Sequence, residues 1–184
     1  AVPATVLNYA VGETNKLVNV SIVGDTTFEP NEPFTLSLSN PIGLALGDTQ
    51  ATGTIVNDDA LPSLSINDVS QNEGQAGSSN FNFTLSLSNP SSQTITVSAT
   101  TADQTALVAT GDYVFLPATT VIFQPGQTSR PLTVLVNGDA GNEPDETFRV
   151  MLSNPSDTNV IDNQGLATIL NDDGATVLFA TGFE

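Results

Sequence analysis

The chain has 184 residues, with 20 Asp and Glu against three basic residues (Lys16, Arg130 and Arg149), a formal charge of −17, and neither His nor Cys. This composition excludes imidazole bases, thiol nucleophiles, Cys/His zinc sites, haem, iron–sulfur clusters and disulfides, and the charge repels nucleic acid and anionic lipid. A hydrophobic fraction of 39% is too high for an acidic disordered chain, and no apolar run approaches the roughly 20 residues that span a bilayer.

In chain order, the first clear element is the alternation of Phe34, Leu36 and Leu38 with Thr35, Ser37 and Ser39. Phe81, Phe83, Leu85 and Leu87 then alternate with Asn82, Thr84, Ser86 and Ser88. Leu132, Val134 and Val136 follow, and after them Phe148, Val150 and Leu152. A period of two with one apolar face predicts half-buried antiparallel strands. Ser-Asn-Pro closes three of these runs, at Ser39–Pro41, Ser88–Pro90 and Ser153–Pro155, and Pro125-Gly126 marks a further turn. Proline cannot donate to a ladder, so each motif predicts a strand end. No stretch is apolar at helical spacing. Short strands punctuated this regularly predict an all-β sandwich. No signal peptide is visible at Ala1, which suits a cytosolic protein or a mature, processed one.

The chain also repeats itself. Tyr9–Pro62 aligns without a gap on Phe123–Thr176, with about twenty identities. Asp25, Glu29, Pro30 and Glu32 meet Asp139, Glu143, Pro144 and Glu146; Asn57-Asp58-Asp59 meets Asn171-Asp172-Asp173; and the match reaches Pro3-Ala4-Thr5 on Pro117-Ala118-Thr119. Residues 61–174 therefore form one complete repeat. Residues 1–60 form the later half of another, lacking the counterpart of Ser63–Tyr113, about three strands. Residues 175–184 lie where a third repeat would begin and read as a possible donor strand. Missing strands at one end and a surplus strand at the other predict completion between molecules, head to tail, as in a filament.

In the complete repeat the carboxylates gather in four places: Glu73, Asp112, the run Asp139–Glu146, and Asp172-Asp173. A sandwich collects alternate loops at one pole. Convergent carboxylates repel each other and raise their own pKa values, and a hard divalent cation removes that conflict. Calcium takes about 6–8 oxygen ligands in irregular loops, whereas magnesium is more demanding. Asp139-Ala140-Gly141-Asn142-Glu143-Pro144-Asp145-Glu146 combines a glycine turn, a proline exit and several side-chain oxygens, and it recurs as Asp25–Glu32. Paired carboxylates also occur in glycosidases, but the chain has no Trp and only Tyr9 and Tyr113 to serve as a sugar platform. No enzymatic activity is expected.

Gly111-Asp112-Tyr113, Pro125-Gly126-Gln127-Thr128, Asp-x-x-x-Glu-Pro-Asp-Glu-Thr-Phe from Asp139, Leu-Ser-Asn-Pro from Leu152, and the closing Thr-Ile-Leu-Asn-Asp-Asp from Thr168 together resemble the Calx-beta domain. This family occurs in sodium–calcium exchanger regulatory loops, in integrin β4 and in large bacterial surface proteins. The resemblance implies immunoglobulin-like antiparallel β-sandwiches in tandem, with calcium at one pole. By position it implies ligands at Glu73, Asp112, Asp139, Glu143, Glu146, Asp172 and Asp173. In the truncated repeat it implies Asp25, Glu29, Glu32, Asp58 and Asp59, which would need oxygens from a neighbour. The exchanger motif carries a longer acidic run where this chain has Asn137-Gly138 and closes on three Asp where this chain has Asp172-Asp173-Gly174, implying one or two ions. The expected function is a calcium-binding, extracellular or surface-located bacterial structural protein. It would be a filament-forming homo-oligomer, or alternatively an adhesin stalk or a calcium-sensing module, with no nucleic-acid or membrane partner.

Overall fold

The computed structural model describes residues 3–174. The chain divides into two compact units, Ala1–Asp25 with Asn31–Val56, and Thr26–Pro30 with Asn57–Glu184. The expected donor strand at residues 175–184 lies outside the described residues.

In the first unit, β1 (Glu32–Ser37) and β2 (Gln50–Ile55) form a two-stranded antiparallel ladder. The remaining strands belong to the second unit: β3 (Ser63–Ile66), β4 (Val69–Asn72), β5 (Gly77–Leu87), β6 (Ile95–Asp103), β7 (Thr119–Phe123), β8 (Ser129–Gly138), β9 (Glu146–Ser153), β10 (Asn159–Val160) and β11 (Gln164–Leu170). They build two sheets, β10-β3-β5-β8 and β4-β11-β9-β6-β7. Among the described residues no helix is long and apolar enough to cross a membrane.

The stretch Ser63–Tyr113 holds four strands rather than about three. The reason is a change of sheet between β3 and β4. The backbone N–H of Asn67 donates to Thr84 O (3.3 Å) and its side-chain oxygen accepts from Thr84 N (2.5 Å), which ties it to β5. The next residue, Asp68, accepts from Leu166 N in β11 at 2.7 Å. Adjacent side chains therefore bond to opposite sheets, and one extended stretch becomes two strands.

The alternation seen in the sequence becomes the core. Phe81, Phe83, Leu85 and Leu87 of β5, Leu132, Val134 and Val136 of β8, and Phe148, Val150 and Leu152 of β9 are all buried. Phe148 lies at the centre. It stacks on Tyr113 with ring centroids 4.2 Å apart and meets Phe81 and Phe83 at 6.3 and 6.5 Å. The Tyr113 hydroxyl, which apolar packing alone would leave unsatisfied, donates to Asp103 at the end of β6 (2.5 Å). The Ser-Asn-Pro stops act differently. Asn40 and Asn154 take the left-handed conformation, with φ of 55° and 49°. Asn89 instead donates to Ala60 O at 2.9 Å.

Thr26–Pro30 is short but anchored. Phe28 forms a parallel bridge with Ser91, donating to Pro90 O (3.0 Å) and accepting from Ser92 N (2.9 Å), and Glu29 N donates to the Asn57 side chain (3.1 Å).

The first unit repeats the β9–β11 ladder. Glu32 pairs with Ile55 as Glu146 pairs with Ile169, and Ser37 with Gln50 as Met151 with Gln164. Phe34 stands where Phe148 stands, but its ring lies over Gly53, where an added Cβ would come within 2.3 Å of it. Phe148→Ala should therefore lower the unfolding free energy of the second unit by about 3–5 kcal/mol. Phe34→Ala should cost that unit nothing measurable. Urea denaturation followed by tyrosine fluorescence separates the two, and equal costs would contradict the assignment of the core.

Candidate functional site

Four segments bring acids to one end of the second unit. Glu73 follows β4, Asp112 lies between β6 and β7, residues 139–145 join β8 to β9 with Glu146 opening β9, and Asp172-Asp173 follows β11. Pairing sets these positions. Glu73 N donates to Leu170 O, which continues the β4–β11 contact beyond the ladder, and Asp112 O accepts from Asn137 N at 2.9 Å. The neighbouring Tyr113 bridges Val136 in β8.

One oxygen each of Asp112, Glu143 and Glu146 lie within 4.8 Å of one another. Two unit charges at that separation repel by about 3.5 kcal/mol at an effective dielectric near 20. The fold answers part of this with N–H and O–H donors. Asp112 accepts from Leu107 N (2.7 Å) and the Thr110 hydroxyl (2.9 Å), Asp139 from Gly141 N (2.5 Å), and Asp172 from Gly74 N (3.1 Å) and the Asn72 amide (3.3 Å). Among the described residues no Lys or Arg ion pair reaches these carboxylates; the ion pair present is Lys16–Glu13.

The uncompensated remainder appears in the titration. Burial, reinforced by Asp139, Glu143, Asp173 and Asp172, pushes the Glu73 carboxyl up to about 7. Glu146 is also pushed up to about 7, first by burial, then by its hydrogen bond with Asp112 and by the charges of Asp112, Glu143 and Glu73. Asp173 is raised by burial and by Asp172 and Asp139. Its Oδ2 is buried and has no hydrogen-bond partner. The unpaired Asp173 oxygen and the clustered carboxylates of Asp112, Glu143 and Glu146 are oxygen donors of the kind a hard cation takes.

All seven acids expected in the complete repeat thus reach this one pole: six of them act electrostatically on Glu73 or Glu146, and Glu146 is the seventh. They do not have equal freedom. Asp172 is already bonded to the turn after β4. Asp145, in the same loop, accepts from Asn171 N at 3.1 Å and holds that loop against the end of β11. Its structural role gives no sequence signal distinct from its neighbours. The five acids of the truncated repeat are divided between the units: Asp25 and Glu32 belong to the first, Glu29, Asp58 and Asp59 to the second.

Gly138 controls the position of Glu73. A Cβ there would fall 1.8 Å from Gly74 O and 2.8 Å from Glu73 O. The end of β8 passes against the peptide that carries Glu73 so closely that only glycine fits.

Residues 2–60 and 67–178 match the family model of the Calx-beta domain. The chain belongs to the Calx-beta family. Among solved structures, the apo-form Calx CBD1 domain is similar at 24% identity and a TM-score of 0.55, over 62% of this chain and all of that one. CBD12 from CALX1.2 and the calcium binding domain CBD12 of CALX1.1 are each 25% identical over 61% of this chain, with TM-scores of 0.55 and 0.54. The chain spans less than half the length of these two structures, at 45% and 47%. The all-β class and the Calx-beta resemblance read from the sequence are thus shown.

Two outcomes follow for the pole. A raised carboxyl pKa stabilises the fold at low pH and loses that contribution as pH rises through about 7. In chelator, the melting temperature of the second unit should fall between pH 5 and pH 8, and saturating calcium should reverse the loss at pH 8. A melting temperature that is flat across this range in both conditions would contradict the cluster. Gly138→Ala removes no carboxylate but displaces Glu73, and it should weaken calcium binding about tenfold or more by calorimetry. Unchanged affinity would exclude Glu73 from the site.

Proposed function

We propose that this Calx-beta chain is a calcium-binding structural module of the bacterial cell exterior and not an enzyme. The observation that carries the reading is the buried, unpartnered Asp173 Oδ2 at the pole where Asp112, Glu143 and Glu146 converge. Calcium is the cation that fits oxygen-only ligands set in irregular loops. Glu73, Asp139 and Asp172 complete the acidic shell, giving room for one or two ions. Bound calcium would cancel the repulsion there and hold four separate loops as one rigid pole. The calcium binding domain CBD12 named among the similar structures supports this choice of ion.

The first unit supports a structural role. It carries an exposed ladder and many exposed apolar side chains, including Val6, Val11, Leu17 and Val23. A surface of this kind is suited to completion by further strands. Such completion would serve a head-to-tail filament of identical subunits or the stalk of a large surface adhesin. The sensing role of the exchanger modules is the third reading, and the same pole would serve it.

Negative-stain microscopy of the chain in calcium and in chelator, alongside calorimetric titration with calcium, tests the proposal. Micromolar-to-millimolar calcium binding, abolished by a combined Glu146→Gln and Asp173→Asn change that leaves the circular dichroism spectrum intact, supports the metal site. Failure to bind calcium overturns it. Calcium-dependent polymers favour the filament, and monomers in both conditions favour the stalk.

A further inference from the structure

The sheet β4-β11-β9-β6-β7 turns one face to the core and the other outward. On β9, Phe148 and Val150 are buried, so the alternation puts Arg149 on the outer face. There it lies opposite Leu166 of β11 on one side and Ala102 of β6 on the other. It is the one Lys or Arg in the strands of this sheet.

The Arg149 guanidinium is held but not neutralised. Its Nη1 donates to the side-chain oxygen of Gln164. With the Gln104 amide oxygen turned toward it, Nε and Nη2 donate there at 2.9 and 3.1 Å. Both acceptors are uncharged. Among the described residues the ion pair present is Lys16–Glu13, so no carboxylate cancels the charge of Arg149. A guanidinium has five N–H donors in one plane. Nε, Nη1 and Nη2 each spend one here, which leaves one on Nη1 and one on Nη2. Two such donors suit the two oxygens of a carboxylate.

Arg149 opens into a cleft of about 320 Å³, lined also by Asp68, Asp162, Asn163, Gln164 and Leu166. Small-molecule sites run from roughly 300 to 1,000 Å³, so the cleft suits a small ligand. Its walls are fixed. Asp68 accepts from Leu166 N at 2.7 Å and Asp162 from Gln164 N at 3.2 Å, each through Oδ1, which leaves Oδ2 of both for a ligand. The loop that carries Asp162 is tied on either side: Ile161 N donates to Leu64 O (3.0 Å), and Asn163 O accepts from Leu152 N (2.8 Å).

We infer that this cleft binds a small zwitterion of amino-acid or dipeptide size, its carboxylate on Arg149 and its ammonium group on the aspartates. The site is separate from the acidic pole, and neither Asp68 nor Asp162 belongs to the seven acids there.

Charge selects the ligand. A simple carboxylate gains the guanidinium but meets two aspartates and a chain of net charge −17. A phosphate brings more negative charge against the same aspartates. A simple ammonium ion gains the aspartates but meets the guanidinium. A zwitterion is attracted at both ends, and with no net charge it is not repelled at a distance. Leu166 offers an apolar wall to the carbon atoms between its charges.

Two-dimensional NMR of the nitrogen-15-labelled 184-residue chain, titrated with glycylglycine at pH 6.5, tests this. Both termini of the dipeptide are charged at that pH. The Arg149 Nε–H signal and the amides of Gln164 and Leu166 should shift together and saturate in the millimolar range. N-acetylglycine lacks the ammonium group and glycinamide lacks the carboxylate, and each should bind at least tenfold more weakly. Arg149→Lys keeps the charge but loses the paired donors, and should weaken glycylglycine at least tenfold. Asp162→Asn keeps an oxygen for Gln164 N and should erase most of the preference for glycylglycine over N-acetylglycine. The absence of a saturable shift overturns the inference. Unchanged affinity in a folded Arg149→Lys chain overturns it too, leaving Arg149 as a brace between β9, β11 and Gln104. If N-acetylglycine binds the unaltered chain as well as glycylglycine does, the aspartates take no part and the zwitterion is wrong. Should Arg149→Lys lose its dispersed spectrum, Asp162→Asn and the two blocked ligands decide. Working in chelator keeps the result independent of the calcium reading.

Discussion

Mutual repulsion among carboxylates is the constraint around which the pole of the second unit is built. Six of them act on Glu73 or Glu146. Three come within 4.8 Å, where each pair costs about 3.5 kcal/mol at an effective dielectric near 20. A domain whose whole stability is about 5–15 kcal/mol does not gather such charges without counterweights. Two are visible. Backbone N–H groups of Leu107, Gly141 and Gly74 point at Asp112, Asp139 and Asp172. Glu73 and Glu146 hold protons to about neutral pH. The third, under the proposed function, would be a cation, for which the unpaired Asp173 Oδ2 is a ready ligand.

The sandwich supplies the rigidity that such crowding requires. The loops are carried by ends of β4, β8, β9 and β11, and these strands are fixed by ladders and by the cluster around Phe148. The change of sheet at Asn67-Asp68 matters here, because it places β4 beside β11 and so carries Glu73 to the same end as Asp172-Asp173. Gly138 then lets β8 approach the peptide of Glu73. Stability and site share the same residues, so a change at the pole acts on both.

Much of this was legible in the sequence, for physical reasons. Phe81, Phe83, Leu85 and Leu87 alternate because one face of β5 is buried, and period two reports that directly. Asp139, Glu143, Glu146, Asp172 and Asp173 were legible because an internal copy marked them, and Glu73 and Asp112, which have no counterpart in residues 1–60, because a sandwich sends alternate loops to one pole and the Calx-beta resemblance points to those positions. The division of Ser63–Asn72 into two strands was not legible, since it depends on two side chains bonding to opposite sheets. Nor was the absence of strands at 5–9 and 15–24. The pattern Val18-x-Val20-x-Ile22 is as good a strand signal as Leu132-x-Val134-x-Val136, but a strand is a property of a pair, and the sequence of one partner does not reveal whether the other is present. Asp145 carries the same charge as its neighbours, and only its bond to Asn171 N separates a loop brace from a ligand candidate.

The most direct measurement of the central claim is the number of protons released when calcium binds, from titration calorimetry in two buffers of different ionisation enthalpy. If a cation replaces the protons that the crowded pole holds on Glu73 and Glu146, binding at pH 6.5 should release about one proton or more per molecule and binding at pH 9 none. Equal heats in both buffers at pH 6.5, with calcium bound, would show that the ion and the protons do not compete, and would contradict the account.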